Sequence, residues 1–328
     1  MKPIPRLRFA HLPTSMEGMP RLSAALKGPR LFIKRDDQTG LALGGNKTRK
    51  LEFLVAEAQA NGAQTLISAG AVQSNHCRQT AAAAAHFGFD CILVLSGERP
   101  KANSGNLLLD QLFGAELVWT ERSSRDQMLQ DTFQDAWNQG RRPYLIPYGG
   151  SNVTGAAGYV YAVQELSGQT GANGLLSKPP DWIVFPSSSG GTQAGLVLGA
   201  QIFDYPAKIL GISVDEPEDV LQRRVADLAN HTADFLGEKS SLDTQDVLVN
   251  ADYLGGGYGV LGVAEREAIL LFARLEGVLL DPVYTGRAAA GLIDLIRKGF
   301  FAREETILFW HTGGAPALFA IQYLDLLG

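Results

Sequence analysis

Short apolar runs alternate with longer stretches of helical periodicity along most of the chain. Leu31-Phe32-Ile33-Lys34 has the length and composition of a strand and runs into a turn at Arg35-Asp36-Asp37. Residues 51–60 carry apolar positions at helical spacing and stop at Asn61-Gly62. The alternation continues with a strand over 65–68, an alanine-rich helix over 79–86 closed by Gly88, and a strand over 91–95. A helix over 106–113, a strand over 115–119 and a helix over 127–137 follow, and Arg142 to Pro147 closes this series. Strands separated by helices of about ten residues indicate parallel pairing through right-handed crossovers, so the strands around Leu66 and Leu93 are expected to be neighbours.

Gly149-Gly150-Ser151-Asn152 reads as a joint, because the pattern restarts beyond it. A helix over 155–166, a strand over 181–185, a glycine-serine loop, a helix over 193–201 and a strand over 208–214 follow. A helix over 288–298 and a strand over 306–310 close the chain. Residues 215–254 are charged and weakly periodic; helices with loops are expected there, and no chemistry. The predicted architecture is α/β, with two open, twisted, mainly parallel sheets flanked by helices and a cleft between two lobes.

Composition narrows the function classes. A chain of 328 residues exceeds one ordinary core, and 45% hydrophobic with 19% charged residues describes a globular enzyme rather than a disordered or fibrous chain. The net charge of −5 and the dispersed basic residues leave no footprint for nucleic acid or an anionic membrane. No stretch approaches the ~20 apolar residues that span a bilayer, and Met1 to Arg6 is broken by prolines without a signal core. Cys77 and Cys91 are the two cysteines, in no redox or metal spacing, and the five histidines form no zinc pattern. A cytoplasmic protein without a metal is expected.

Four segments carry candidate chemistry. In Gly44-Gly45-Asn46-Lys47-Thr48-Arg49-Lys50, small residues let the Lys47 amine approach the backbone, and Arg49 and Lys50 supply charge to depress its pKa. Such an amine suits a Schiff base with pyridoxal phosphate (PLP), although a solvated basic turn ahead of the helix has the same composition. Ser187-Ser188-Ser189-Gly190-Gly191-Thr192 lies between a strand and a helix, where converging N–H groups, hydroxyls and a helix N-terminus make a phosphate cradle. It matches neither a Walker loop nor a dinucleotide turn. Gln73-Ser74-Asn75-His76 follows a strand end and suits either a carboxylate and cofactor site or an ordinary helix N-cap. Tyr258 and Tyr284 stand beside glycine turns, placed for acid–base work or for packing under a loop, and His311-Thr312-Gly313-Gly314 is a further strand-end loop.

Taken together these segments resemble the fold-type II PLP-dependent enzymes, the tryptophan-synthase-β-like group. The resemblance is strongest to the D-cysteine desulfhydrase / 1-aminocyclopropane-1-carboxylate (ACC) deaminase subfamily. It runs from Pro5-Arg6-Leu7 to His311-Thr312-Gly313-Gly314-Ala315-Pro316, and Gly-Gly-Asn-Lys with Gln-Ser-Asn-His is its most specific combination. The resemblance implies that Lys47 bears PLP and moves the Cα proton, and that Asn75 bonds the cofactor's ring oxygen. Gln73, Ser74, Asn75 and His76 would receive a small amino-acid substrate, with Ser74 assisting proton transfer. Ser189, Gly190, Gly191 and Thr192 would hold the phosphate, helped by Lys50, and Tyr258 or Tyr284 would serve the departing group. It also implies a homodimer, a small α/β domain over 52–157, and a larger PLP-binding domain over 1–51 plus 158–328.

ACC deaminases of this group read Tyr-Glu where Tyr284-Thr285 stands here and have an apolar residue in place of Thr312. Thr285 and Thr312 together would leave the pyridine nitrogen largely neutral, which suits α,β-elimination of D-cysteine to pyruvate, ammonia and hydrogen sulfide over ring opening. Ser188 stands where desulfhydrases commonly have glycine. L-Cysteate sulfo-lyases share most of these motifs and are the rival reading beside ACC deaminase. A catalytically weak PLP and amino-acid binder is the non-enzymatic alternative.

Overall fold

The computed structural model describes residues 1–171 and 174–327. The chain begins with strand β1 (Met16–Gly18), helix α1 (Pro20–Leu26), strand β2 (Arg30–Arg35) and helix α2 (Lys47–Ala60). A regular run follows: β3 (Thr65–Ala71), α3 (Asn75–Phe87), β4 (Asp90–Ser96), α4 (Gly105–Leu112), β5 (Glu116–Thr120), α5 (Arg125–Asn138) and β6 (Pro143–Leu145). Next come α6 (Val153–Gln169), β7 (Trp182–Ser187), α7 (Gly191–Ile202), β8 (Lys208–Ser213), α8 (Glu218–Leu236) and β9 (Leu248–Asn250). Helices α9 (Val263–Glu276) and α10 (Thr285–Arg297), strand β10 (Thr306–His311) and helix α11 (Ile321–Leu327) complete the fold.

Strands β5-β4-β3-β6 form a wholly parallel sheet, with Leu66 opposite Cys91 and Ser68 opposite Leu93. The second sheet has the order β1-β2-β10-β7-β8-β9 and is parallel except where β1 meets β2. Both sheets are covered on both faces, as parallel sheets must be. In the larger sheet Leu31, Ile33, Val184, Ile307 and Phe309 pack with α1, α9 and α10. Their alternates Ile183, Phe185, Leu308 and Trp310 pack with α6 and α7. In the smaller sheet Leu66, Leu93 and Leu95 meet α2, α3 and α4, while Ile67, Ala69, Ile92 and Val94 meet α5.

Helices α2, α3, α7 and α10 begin two to four residues before the apolar pattern does. Their first turns (Lys47-Thr48-Arg49-Lys50, Asn75-His76, Gly191-Thr192, Thr285-Gly286) are polar or glycine because they border the cleft rather than the core. Lys47 is therefore the first residue of α2, not part of a turn ahead of it. The weakly periodic segment contains α8 but also a sheet strand, β9, which hydrophobic spacing does not reveal. Elements β1, α1 and α9 were likewise not anticipated. Cys77 and Cys91 are buried free thiols. Among the described residues no helix is long and apolar enough to cross a membrane.

Candidate active site

The carboxyl ends of β3, β6, β7 and β10 converge on one cavity, the usual ligand position in open α/β sheets. Lys47 enters it because two glycines bend the preceding loop. Gly44 has φ +69°, and a Cβ there would lie 1.9 Å from the Asp37 carbonyl oxygen. A Cβ at Gly313 would meet the Gly45 Cα at 2.6 Å, so both positions must be bare for the loop to press against the end of β10. The Asn46 N–H then donates to the Thr312 carbonyl at 2.9 Å.

From this start the Lys47 amine donates to the Gly149 carbonyl at 3.1 Å, and the Lys50 amine donates to the same oxygen at 3.1 Å. Neither amine has a carboxylate partner among the described residues. Burial lowers the Lys47 pKa to about 8. Burial, then the charge of Lys47, pushes Lys50 well below the usual lysine range. Neither Arg49 nor Lys50 depresses the Lys47 pKa: the Arg49 guanidinium is held by Asp36 and Glu165, the Lys50 contact raises the value, and burial supplies the shift instead.

The phosphate cradle forms as its composition suggested, with an addition from another loop. Gly190 takes φ +84° and starts α7, whose first N–H, on Gly191, donates to Ser151 Oγ at 3.2 Å. Ser151 Oγ also meets Ser189 Oγ at 2.7 Å and accepts from Lys50 at 3.3 Å. A Cβ on Gly191 would fall 2.8 Å from the Lys50 amine and 2.6 Å from Ser151 Oγ, so glycine keeps this corner open. Thr192 Oγ1 accepts from Asn46 Nδ2 at 3.1 Å. Ser189, Gly190 and Thr192 line the cavity; Gly191 and Lys50 stand directly behind them.

Ser74, Asn75 and His76 line the opposite wall. The two readings of Ser74 are compatible, since it caps α3 by accepting from the Cys77 N–H at 3.2 Å while bordering the cavity. His76 is held by Ser68 Oγ at 2.9 Å, and burial, followed by the charges of Lys47 and Lys50, lowers its pKa well below 6.5. Gln73 does not reach the cavity. Its amide donates to the Ser104 carbonyl at 2.9 Å and accepts from the Asn106 N–H at 2.8 Å.

Tyr258 and Tyr284 share a hydroxyl–hydroxyl bond of 2.6 Å, and burial raises both pKa values well above 10, so both are neutral phenols. Tyr284 borders the cavity, and Tyr258 lines the adjoining pocket that shares Tyr148 and Ser189 with it. Thr312 faces the cavity, but Thr285 does not join it there. The Thr285 hydroxyl donates to Asp281 Oδ1 at 2.7 Å and accepts from the Asp281 N–H at 2.7 Å. The proposed threonine pair thus separates into one wall residue and one residue that locks the start of α10.

Three features escaped the sequence reading. The presumed joint at Gly149-Gly150-Ser151 is part of the site, together with Tyr148 on the cavity wall. Asp281 organises the Tyr284 turn by accepting three main-chain N–H groups. Asp215, Glu216 and Arg224, in the segment given no chemistry, line that adjoining pocket together with Arg122 and Arg125. No local motif marks these residues; α6, α8 and α10, with the turns ahead of them, bring them in.

The cavity carries an unmet demand for negative charge. The half-buried Lys47 amine and the buried Lys50 amine share one carbonyl, the positive end of α7 points inward, and the Ser187 hydroxyl is buried on the wall with no hydrogen-bond partner among the described residues. A phosphate monoester meets that demand, and an aldehyde on the same molecule would find Lys47. These residues fit PLP.

A protein-family model described as "Pyridoxal-phosphate dependent enzyme" matches residues 7–313. The chain belongs to this family. It is 45% identical over 323 residues to D-cysteine desulfhydrases of Salmonella choleraesuis (strain SC-B67) and Salmonella typhimurium (strain LT2), with 96% of each chain covered. Among solved structures, an ACC deaminase homologue superposes with a TM-score of 0.88 at 38% identity, covering 99% of this chain and 95% of its own. A fungal L-serine ammonia-lyase from Rhizomucor miehei shares the fold, with a TM-score of 0.69 at 18% identity over 98% of both chains.

Proposed function

We propose that this protein is a PLP-dependent lyase that converts D-cysteine and water to pyruvate, ammonia and hydrogen sulfide. The observation that carries the reading is Lys47, an amine with pKa near 8 that shares the Gly149 carbonyl with Lys50 and sits opposite a phosphate cradle. Likeness to D-cysteine desulfhydrases at 45% identity supports the substrate and the leaving group.

Ser189, Gly190, Gly191 and Thr192, with Ser151 and Lys50, would hold the cofactor phosphate, and Asn75 and Thr312 would meet its ring. Bound PLP supplies an electrophilic carbonyl and an electron sink for the Cα–H bond. Lys47 is neutral in a large fraction of molecules near pH 8 and can accept the Cα proton without a second base. Ser74 and Asn75 present hydrogen-bonding groups at the start of α3, where the helix dipole favours the substrate carboxylate. The neutral Tyr284 phenol, supported by Tyr258, can position the sulfur leaving Cβ by donating a hydrogen bond to it. His76 is held uncharged and serves as a polar wall rather than a cation for the carboxylate.

Thr312 at the cavity, a hydroxyl in place of a carboxylate, favours elimination over ring opening. The assay is pyruvate and sulfide release from D-cysteine, compared with L-cysteine, L-cysteate, β-chloro-D-alanine and, for 2-oxobutyrate, ACC. D-Cysteine turnover is expected to dominate; turnover of ACC without D-cysteine would refute the argument.

We further propose residues 52–157 as a small domain and 1–51 plus 158–328 as the large, cofactor-binding domain, because the four-stranded sheet lies wholly inside the first range. We also propose a homodimer, which the family resemblance implies, and a cytoplasmic location, which two unpaired cysteines favour. Light scattering should give about twice the 35.2 kDa chain mass.

A further inference from the structure

Gln73, turned away from the cavity, belongs to a buried polar cluster behind Asn75. Asn106, the second residue of α4, is fully buried at the centre of that cluster. Its Nδ2 donates to the Gln73 carbonyl and to Asn75 Oδ1, both at 2.9 Å. Its Oδ1 accepts from Arg78 Nη1 at 3.2 Å. Arg78 is itself fixed, since Nη2 donates to the Gly44 carbonyl at 2.7 Å in the loop that delivers Lys47.

The chemistry of these neighbours allows one arrangement. A guanidinium can only donate and a main-chain carbonyl can only accept, so Asn106 must turn its oxygen to Arg78 and its nitrogen to Gln73. The second Nδ2 proton then requires an acceptor, and the atom of Asn75 that faces Asn106 must be its oxygen. The Asn75 Nδ2 is thereby forced to the other side of its amide, against Gly314, where a Cβ would come within 2.8 Å of it. Asn75 borders the same cavity as Lys47. In pyridoxal the ring hydroxyl is ortho to the aldehyde, so an N–H donor on this wall meets the ring oxygen.

We propose that Asn106, oriented by Arg78, is a positioning residue that fixes the Asn75 amide as a hydrogen-bond donor to the ring oxygen of PLP. The inference rests on the PLP reading of the cavity. Replacing Asn106 by aspartate leaves an acceptor facing Asn75, so the Asn75 amide should turn over and present its oxygen to the cavity.

The test is a double-mutant cycle on full-length protein between Asn106→Asp and Asn75→Ala, read by PLP dissociation constant and by the pH titration of the bound-cofactor absorbance. Asn106→Asp should weaken PLP binding by about tenfold or more and move the absorbance midpoint to higher pH, because the ring oxygen loses a donor. The same change should have no further effect in an Asn75→Ala background. Unchanged binding and titration, or an equal effect without Asn75, overturns the proposal. If Asn106→Asp does not fold, Asn106→Ala enters the same cycle with the same criteria. Wild-type protein showing no lysine-linked absorbance overturns the PLP reading and this inference with it, whereas a normal wild type with an unaffected variant overturns the inference alone.

Discussion

Lys47 and Lys50 share one carbonyl and, among the described residues, no carboxylate, so each bears the cost of burial with little relief. For Lys47 the folded pKa of about 8 lies below the unstrained 10.5, so the folded chain binds fewer protons between those values than the unfolded chain does. This group therefore reduces stability fully below pH 8, and the loss is recovered as pH rises from 8 to 10.5. Cofactor-free Lys47→Met should be more stable than cofactor-free wild type at pH 7, by on the order of 2 kcal/mol after allowing for partial solvent contact, with the difference nearly gone at pH 10.5. Urea unfolding at the two pH values measures it. The same variant should bind PLP without forming the lysine-linked absorbance, and persistence of that band would move the attachment to another lysine. Asn106 teaches a second residue-scale point: a side chain without contact to the cavity can still decide which atom of its neighbour faces inward.

At the scale of elements, each helix that borders the cavity begins with residues that the apolar pattern leaves out. The unpaired N–H groups of a first turn are what an anion needs, and core packing has no use for those positions. Helix α7 shows the consequence at Gly191, where a Cβ would crowd both Lys50 and Ser151. Gly191→Ala should leave the fold intact, because Ala is the better helix former, while weakening PLP binding by about ten- to a hundredfold. Equilibrium dialysis of the cofactor against the variant reads the effect, and unaltered affinity would remove the phosphate from this corner. The loop before α2 follows a similar logic, since Gly44 admits the Asp37 carbonyl and Gly313 admits the Gly45 backbone where side chains cannot go.

For the molecule as a whole, α2 and α6 tie the four-stranded sheet to the six-stranded one through a buried ion network. Arg49 of α2 binds Asp36 and Glu165 at 2.8 Å, Lys34 of β2 binds Glu165 at 2.6 Å, and Tyr159 of α6 donates to Asp36 at 2.6 Å. Burial opposes the charge on Asp36, but Arg49 outweighs it, so the carboxyl lies below its ordinary 3.8. Its stabilising contribution is present above pH 3.8 and is lost as the pH falls through the depressed folded value. Asp36→Asn should cost about 3–5 kcal/mol at pH 7, because Arg49 and Lys34 lose a buried counter-charge, and should flatten the acid limb of the stability curve. Denaturant unfolding between pH 3 and 7 checks both expectations; an unchanged acid limb would place acid sensitivity elsewhere.

The periodicities of 2 and 3.6 determined the α/β architecture and the pairing of the strands around Leu66 and Leu93, and the Gly-Gly-Asn-Lys, Gln-Ser-Asn-His and serine-glycine segments marked Lys47, Ser74, Asn75, His76, Ser189, Gly190 and Thr192, which line the cavity. They do so because each is written within a few consecutive residues, where local geometry and burial leave a direct mark. What the tertiary structure decided lies in relations between distant segments. The Gly149–Ser151 turn became part of the site, Arg49 turned from Lys47 to Asp36, and Thr285 was claimed by Asp281 instead of the cavity. Gln73 and Asn106 joined a frame behind Asn75. A polar side chain has several partners within reach of its chemistry, and only packing of the sheets and the helices returning between them determines which partner it meets.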